Sequence, residues 1–553
     1  MTGRPLAGLF CFPLHVWGLG LAGCCLALNW ISPTFHPDSP LEGRPIVDAL
    51  GLLSLAFAFY LVAVNQVRHG SGRLQTILGY GILFRLLLLP SWPIQEVDLH
   101  RYLWDGRVME AGVSPYRFSP SEVDRAMDEE AALEESLLRL GRISKQSPTP
   151  ALWFERVHHR EIPTAYPPVS QLVFWLASLT MRDGSAEAVH VLTLKIWMVL
   201  LDFGVCLILW HWLGQGRRAR LVLISYAWCP LVLKEFANSA HLDSIAVFFT
   251  VLAVRTLLAQ PGKAGSRWAG VWWAAAVLAK VYPIILFPYF AWQWLRQGNI
   301  RMCMIRSCGS LLLVFGTWAG ADAWTISGTD LQRGHSVQGL RTFAQEWEMN
   351  DALFMGVYEN LRPERTSPGH SHWFAPLTGS VGFDQSEKAF QFTRWITMLA
   401  WLTIAIGCLY QAEKRPSVRK SGEVLFLWLA WFWYLSPTQN PWYWTWAMPF
   451  LGFVRNPGWF LTSAAALSYY LRFWFLYETK PDTPLMMGYR GVEWFDYVGV
   501  WIEHGLPLTC VGWFAFVRYR KILSRRTGRN LPSPSIDGAC SRHGSGSGES
   551  VPG

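Results

Sequence analysis

Long apolar runs separated by polar segments are the main pattern along the chain. About twenty apolar residues make a helix that crosses a bilayer. Ten runs have roughly that length, at 7–30, 46–66, 73–94, 189–213, 219–236, 240–258, 303–323, 391–411, 458–477 and 499–518. Four shorter runs lie at 267–280, 282–297, 423–437 and 441–455. The pattern predicts an all-α, polytopic integral membrane protein with about fourteen transmembrane helices.

Composition agrees with a membrane protein, because 51% of the 553 residues are hydrophobic and only 16% are charged. Such a chain is too apolar to be a water-soluble multidomain protein. None of its ten cysteines lies in the three long polar loops that follow residues 94, 323 and 477. The cysteine spacing therefore indicates neither a disulfide framework nor a zinc site.

The net charge of +9 comes from basic clusters between the apolar runs, not from one basic face. We therefore expect no nucleic-acid partner. If the N-terminus is cytoplasmic, all these clusters are cytoplasmic, as the positive-inside rule requires. Both termini are then cytoplasmic, the loops 95–188, 324–390 and 478–498 lie on the outer face, and the low-complexity tail 524–553 is predicted to be disordered.

The segment 166–181 is important for this topology. If it crossed the membrane, every later basic cluster would lie outside. Its sixteen residues make only about 24 Å of helix, which is short for a hydrocarbon core of roughly 30 Å. We expect this segment to be a juxtamembrane helix that lies along the outer surface, within the first outer loop.

Some charged residues lie inside apolar runs, where a charge needs a partner or a function. Arg85 and Asp202 are at similar depths in their spans, and we predict that they pair. The pair is either a proton or ion relay or a structural ion pair, and the structural interpretation is favoured.

A second group of charges follows the third long run. Asp98, Arg101 and Asp105 are three and four residues apart and would share one face of a helix, with Arg107 nearby. A carboxylate at this position can accept a proton from an acceptor hydroxyl, while a cation holds a phosphate. An interfacial salt-bridge cluster is the alternative.

Other polar groups fall at the same predicted side of the membrane. They are His158, Tyr166, His241, Asp243, Lys280, Tyr282, Gln439, Trp442 and Tyr443. Each also has a structural interpretation: Asp243 could cap a helix, Lys280 could extend to the membrane surface, and Trp442 and Tyr443 could belong to an interfacial aromatic belt. Their occurrence together favours a site.

Six blocks in order resemble a known family. They are "DLHRYLWDGRVMEAGVSPYRF", "HHREIPTAYPPVSQLVF", "LVLKEFANSAHLDSIAV", "AAVLAKVYPIILFP", "FAQEWEMNDALF" and "SPTQNPWYWTWAMPFL". Together they resemble the bacterial polyprenol-phosphate-mannose-dependent mannosyltransferases of the GT-C superfamily. The resemblance implies a GT-C domain at 73–523, preceded by two transmembrane helices in 1–72 that lie outside it. It favours a bacterial plasma membrane, with the endoplasmic reticulum as the alternative.

The resemblance also implies roles for individual residues. Asp98 matches the loop aspartate that acts as general base. The residues implied to bind substrate are Arg101, Tyr102, Asp105, His158, Tyr166, His241, Asp243, Lys280, Tyr282, Trp442 and Tyr443. Members of the family often carry a second acid directly before the aspartate, whereas this chain has Val97 there and Glu96 one position earlier. Metal binding by a pair of adjacent acids is therefore not expected, a divalent ion stays the alternative, and no other cofactor is implied.

The sequence thus predicts a hexosyltransferase that moves a sugar, mannose by resemblance, from a polyprenyl-phosphate donor to a hydroxyl of a lipid or glycan acceptor, with inversion, at the outer face. No P-loop or Rossmann glycine motif is present, in agreement with a donor that is already activated. A transporter or flippase is the alternative, with Arg85, Lys195, Asp202 and Lys234 along its pathway. A non-catalytic assembly subunit is a third interpretation.

Overall fold

The computed structural model describes residues 13–128, 134–146, 148–182, 184–258, 265–298, 300–326, 337–363, 385–414, 416–485 and 488–527. Parts of the second predicted outer loop and most of the predicted disordered tail lie outside these ranges. The first helices are α1 (Leu14–Ile31), α2 (Ile46–Arg68), α3 (Leu74–Leu88), α4 (Asp98–Glu110), α5 (Pro120–Asp128), α6 (Glu135–Gln146), α7 (Pro148–Arg156), α8 (Pro168–Leu179), α9 (Glu187–Leu213), α10 (Arg217–Ala227), α11 (Pro230–Asn238) and α12 (Asp243–Leu257).

The chain continues with helices of more varied length. They are α13 (Gly265–Ala279), α14 (Phe287–Gln297), α15 (Ile300–Ile326), α16 (Gln338–Glu346), α17 (Leu353–Leu361), α18 (Ser386–Glu413), α19 (Val418–Leu435), α20 (Pro441–Trp444), α21 (Met448–Leu451), α22 (Gly458–Ala465), α23 (Leu471–Glu478) and α24 (Val500–Thr527). Among the described residues, β structure is limited to isolated bridges. The all-α prediction is confirmed for this part of the chain, and its eight cysteines are all free.

Six of these segments are long and apolar enough to cross a membrane. They are Leu14–Phe35, Ile46–Arg68, Glu187–Leu213, Ile300–Ile326, Ser386–Glu413 and Phe495–Ser524. A seventh candidate consists of α11 and α12, which are bent by 120° at the break between them. The chain is therefore a polytopic membrane protein, while the total of about fourteen spans stays a prediction.

Prolines explain why several apolar runs do not form one long helix. A proline has no amide hydrogen to donate and cannot be accommodated inside an unbroken helix without a kink. The run 282–297 begins with a 3₁₀ segment, Tyr282–Leu286, and continues as α14. The run 441–455 is divided into the short helices α20 and α21, each with a proline in its first two positions.

The predicted juxtamembrane segment forms α8, whose twelve residues make about 18 Å of helix. It packs against α4 on one side and α13 on the other. Gly106 of α4 lies so close to α8 that a Cβ atom at this position would approach the Phe174 carbonyl oxygen to 2.5 Å. The close packing fixes α4 against α8, and the position of both helices relative to the bilayer stays a prediction.

The predicted pairing of Arg85 with Asp202 is confirmed. Both side chains are fully buried, and Arg85 donates two hydrogen bonds to the Asp202 carboxylate, at 2.7 and 3.1 Å. Arg85 also donates to the carbonyls of Gly81 and Ala227, and Tyr226 donates to Asp202. These hydrogen bonds join α3, α9 and α10 and give the buried charges their partners. The pair is therefore a structural element.

Lys195, a second charge on α9, is also fully buried. Its ammonium donates to the carbonyl oxygens of Leu88 and Ser91 at the C-terminal end of α3. A cation at this end of a helix is favourable because the last carbonyl groups have no partner within the helix. Lys195 therefore anchors α3 to α9.

Candidate active site

The turn before α4 brings two acids together. Gln95 adopts a left-handed backbone conformation, with φ of 49°, and Glu96 follows it. One carboxylate oxygen of Glu96 accepts hydrogen bonds from the amides of Val97 and Asp98, at 3.0 and 2.7 Å. Glu96 thus binds the first amides of α4 and holds Asp98 at the N-terminal start of the helix, where the macrodipole favours a negative charge.

The other oxygen of Glu96 contacts His241, which lies in the break between α11 and α12. His241 Nε2 is 2.6 Å from Glu96 Oε2 and 3.2 Å from Glu235 Oε2. Trp442 stacks on the imidazole ring, with centroids 4.4 Å apart and planes at 19°. The preceding residue, Ala240, has φ of 58°, a conformation that is costly for alanine and that often occurs at functional sites.

Glu235 is a site residue that the sequence analysis did not identify. It lies on the π-helical part of α11, and its carboxylate accepts a hydrogen bond from Tyr470. Lys234 also contacts Tyr470 and lies 3.4 Å from Glu235. Glu235 is the only carboxylate in the run 219–236, and this was a signal that could have identified it. π-Helical turns are rare and are frequent at functional sites.

Lys280 and Asp243 form a second ion pair of the site, and Lys280 lies close enough to lower the pKa of Asp98. The Lys280 ammonium lies 2.8 Å from each Asp243 carboxylate oxygen and 4.2 Å from the centre of the Tyr443 ring. Asp243 makes no capping hydrogen bond at the start of α12, so the capping alternative is wrong. Lys280 points to a buried carboxylate and does not extend to the surface.

Aromatic rings enclose this ion pair. Trp446 donates from Nε1 to Asp243 and stacks on both Tyr282, at 4.0 Å, and Tyr443, at 4.6 Å. Trp446 lies in the last of the six sequence blocks, but the residue pattern did not distinguish it from the neighbouring aromatic residues. Trp442 and Tyr443 thus belong to the site, and the alternative of a lipid-facing aromatic belt does not describe their contacts.

Asp98 has the electrostatics expected of a proton acceptor. Burial raises its pKa, and the negative charge of Glu96 raises it further, while the positive charges of His241, Lys280 and Arg101 lower it. The net result is a pKa of about 6, compared with about 3.9 for an ordinary aspartate. Glu96 shows the opposite net shift: burial raises its pKa, but His241 and Lys234 hold it below the usual value.

Arg101, Tyr102 and Asp105 connect α4 with the rest of the first outer loop. Arg101 Nη2 donates to the carbonyls of His158 and His159, at 3.0 and 2.7 Å. Asp105 accepts a hydrogen bond of 2.9 Å from Gln171 of α8. A phosphate could contact Arg101 only through its other nitrogens, so its observed contacts are mainly structural.

The tyrosine and the histidine of the second sequence block differ in burial: Tyr166 packs between helices and His158 is exposed. Tyr102 stacks on Phe174 at 4.7 Å and meets Tyr166 edge-on at 5.1 Å. The backbone carbonyl of Tyr166 accepts a hydrogen bond from Tyr116. The His158 side chain is exposed, and only its carbonyl contacts Arg101. Tyr166 therefore lines the α4–α8 interface, while the His158 ring lies at the surface.

Three of these side chains have ligand atoms close enough to hold a metal ion. The ligand atoms of Glu96, Asp98 and His241 all lie within 4.8 Å of one another. Two carboxylates and an imidazole suit several divalent ions. However, the imidazole lies within hydrogen-bonding distance of a carboxylate, so the three groups can also neutralise one another without an ion.

Comparison with known families extends these observations. Residues 44–296 match the N-terminal domain of a family described as alpha-(1->6)-mannopyranosyltransferase. Residues 365–481 match a domain described as MptB C-terminal domain. The two matches together cover about two thirds of the 553 residues, and the first includes α2, which precedes the motif blocks. No match was found among curated proteins or among solved structures.

Proposed function

The chain belongs to the alpha-(1->6)-mannopyranosyltransferase family, and we propose that it transfers mannose from a polyprenyl-phosphate donor to an acceptor hydroxyl at the outer face of the membrane. The observation that carries this proposal is the meeting of Asp98, Glu96 and His241, with ligand atoms within 4.8 Å. Glu96 and Asp98 lie at the start of α4, and His241 lies in the break between α11 and α12, next to the Lys280–Asp243 pair.

Asp98 is the proposed general base. Its carboxylate takes the proton of the acceptor hydroxyl as the hydroxyl oxygen forms a bond to the anomeric carbon of mannose. The bond between that carbon and the phosphate oxygen breaks, and its electron pair leaves with the polyprenyl phosphate. Attack from the side opposite the phosphate inverts the anomeric centre, so an α-linked product requires a β-linked donor.

Lys280 is proposed to stabilise the departing phosphate. An ammonium group has three protons to donate, and the contacts with the two Asp243 oxygens engage two of them. The third can bind a phosphate oxygen, whose negative charge grows in the transition state. The helices around the pair are apolar, as the environment of a polyprenyl chain must be, and the donor bond supplies the driving force, so no nucleotide is required.

His241 is proposed to position the two acids. Its contacts with Glu96 and Glu235 place a positive charge between carboxylates when the ring is protonated. This charge keeps Glu96 ionised and limits the rise of the Asp98 pKa. Asp98 therefore stays mostly ionised at neutral pH, as a general base must be.

The test uses purified protein in lipid nanodiscs with radiolabelled polyprenyl-phosphate mannose and an α-1,6-linked mannotetraose as acceptor. Asp98→Asn should reduce transfer at least a hundredfold, within the usual contribution of a general base. Asp482→Asn is the matched control, because that carboxylate is 95% exposed. Equal transfer by the Asp98 variant and the wild type would rule out the proposed role.

Two further measurements test the donor and the side of the membrane. Transfer should occur from polyprenyl-phosphate mannose and not from a nucleotide-linked mannose. Sealed right-side-out vesicles should use an acceptor added outside, whereas inside-out vesicles should not. The opposite result in either experiment would contradict that part of the proposal.

The transporter alternative has less support. Arg85, Asp202 and Lys195 are engaged in contacts between helices, and Lys234 contacts Tyr470 and Glu235. A transport pathway needs polar groups that can exchange partners along it. We therefore retain enzymatic transfer as the proposed function.

A further inference from the structure

The block "FAQEWEMNDALF" has no role in the proposed chemistry, and its segment Trp347–Asp351 lies between the two ranges that match the family. The structure holds this segment rigidly against 437–440. The Met349 amide donates to the Pro437 carbonyl, and the Gln439 amide donates to the Met349 carbonyl, both at 2.9 Å. The segment is thus paired with the residues directly before Trp442, which stacks on His241.

Asn350 is the most constrained residue of this segment. Its backbone is left-handed, with φ of 56°, and its side-chain amide donates to the Gln439 carbonyl and to Glu503, both at 3.0 Å. His504 Nε2 lies 2.9 Å from the Asn350 carbonyl oxygen. These contacts keep the segment in one conformation, and a preorganised surface loses little entropy when it binds a ligand.

Contacts connect the segment with the surroundings of Asp98 along two routes. The Trp347 ring meets the His159 ring at 4.5 Å, and the His159 carbonyl binds Arg101 of α4. On the other route, Met349 contacts the Tyr469 hydroxyl at 3.1 Å, and Tyr469 meets Trp442 edge-on at 5.9 Å. The segment therefore borders the candidate active site through His159 and Tyr469.

Four oxygen atoms in this region are buried, and no donor among the described residues reaches them. They are Asn350 Oδ1, Asp351 Oδ2, Gln439 Oε1 and Asn440 Oδ1. Their residues are at most 7% exposed. A buried acceptor without a partner costs free energy, and such atoms in a native protein call for an explanation. Three of the four are amide oxygens, which only accept hydrogen bonds, so their missing partners are donors.

The hydroxyl groups of a sugar have these properties, because each can donate one hydrogen bond and the molecule carries no charge. Neighbouring Trp347 and Tyr469 add aromatic surface, which packs against the apolar faces of sugar rings. We propose that Trp347–Asp351, with Gln439 and Asn440, forms a subsite that binds the saccharide chain of the acceptor. This inference rests on the proposed function, because it assigns the acceptor to one side of Asp98 and the donor phosphate to the other.

The test measures acceptor and donor binding separately. Asp351→Asn replaces the unpartnered oxygen with an NH₂ group, and the amide keeps one oxygen for the backbone amides of Asp351 and Met355 that hydrogen bond to this carboxylate. Asn440→Ala removes another unpartnered oxygen, while the backbone carbonyl that binds Trp433 remains. Asp482→Asn again is the control.

For Asp351→Asn and for Asn440→Ala we expect the KM for α-1,6-linked mannotetraose to rise about tenfold, the effect of losing one hydrogen bond to a buried polar group. The KM for polyprenyl-phosphate mannose and the thermal unfolding midpoint should stay unchanged. If both variants keep the acceptor KM of the control, the unpartnered oxygens bind only structural water and the inference is overturned. A rise in both KM values would indicate a structural role and would overturn it as well.

Binding without turnover separates this inference from the proposed function. In saturation-transfer NMR, mannotetraose should receive signal from the wild type and from Asp98→Asn, and weaker signal from Asp351→Asn. If Asp98→Asn still transferred mannose but Asp351→Asn bound the saccharide weakly, only the general-base role would fail. If Asp351→Asn bound mannotetraose like the wild type while Asp98→Asn was inactive, only the subsite would fail.

Discussion

The raised pKa of Asp98 makes a quantitative prediction about pH dependence. A general base works only when it is ionised, so activity must be lost as the pH falls through the pKa. With a pKa of about 6, about 91% of Asp98 is ionised at pH 7 but only about 9% at pH 5, so kcat/KM should fall about tenfold. An aspartate with an ordinary pKa near 3.9 would still be about 93% ionised at pH 5.

The assay is kcat/KM for mannotetraose between pH 4.5 and 8, with labelled donor and protein in nanodiscs, because this ratio reports the ionisation of the free enzyme. A second arm uses Lys280→Met. The positive charge of Lys280 lowers the pKa of Asp98, so its removal should move the acidic limb to higher pH, besides reducing the plateau. Asp482→Asn should keep the limb of the wild type. A flat profile down to pH 5, or a limb that moves to lower pH in Lys280→Met, would refute the reasoning.

Three further predictions follow from other contacts. Arg85→Leu should destabilise the protein by about 3–5 kcal/mol, because Asp202 is left buried without its partner. The double variant Arg85→Leu/Asp202→Leu should regain most of this loss. Chemical unfolding in detergent measures both variants, and equal losses of stability would contradict the pairing. Glu235→Gln should lower kcat about tenfold while the KM values for donor and acceptor change less than twofold, because Glu235 acts through its contact with His241. Steady-state kinetics measure both parameters, and an unchanged kcat would show that Glu235 has no positioning role. Activity should survive treatment with EDTA, since the Glu96–His241 contact balances charge without an ion; loss of activity that Mn²⁺ restores would instead make Glu96, Asp98 and His241 a metal site.

The sequence predicted those features that depend on spacing along one element. Asp98, Arg101 and Asp105 are three and four residues apart, and the structure places them on one helix, α4. Arg85 and Asp202 could be paired because the apolar run around each gives its depth in the membrane. Lys280 and His241 could be placed on one side because basic clusters set the orientation of the spans.

The remaining features depend on how distant segments pack, which spacing alone does not encode. The partners of Lys280 and His241 come from several helices, and the sequence offered a structural alternative for each residue. Glu235 stands out as the only carboxylate of its apolar run, but the sequence does not reveal its contacts with Tyr470 and His241. The number of spans was uncertain because a run of apolar residues can form one long helix or several short ones, and prolines at 283, 441 and 449 select the second outcome.

The break between α11 and α12 explains how His241 and Glu235 come to share one site. In a continuous helix, residues six apart point in directions about 240° from each other, on different faces. Here α11 ends as a π-helix, Ala240 turns into the left-handed region, and the His241 amide donates to the Glu235 carbonyl at 3.0 Å. The imidazole then lies 3.2 Å from the Glu235 carboxylate. A break in a membrane helix leaves backbone groups without helical partners, so it needs polar groups nearby. Here the break between α11 and α12 also places His241 beside Glu235, the polar groups that this site requires.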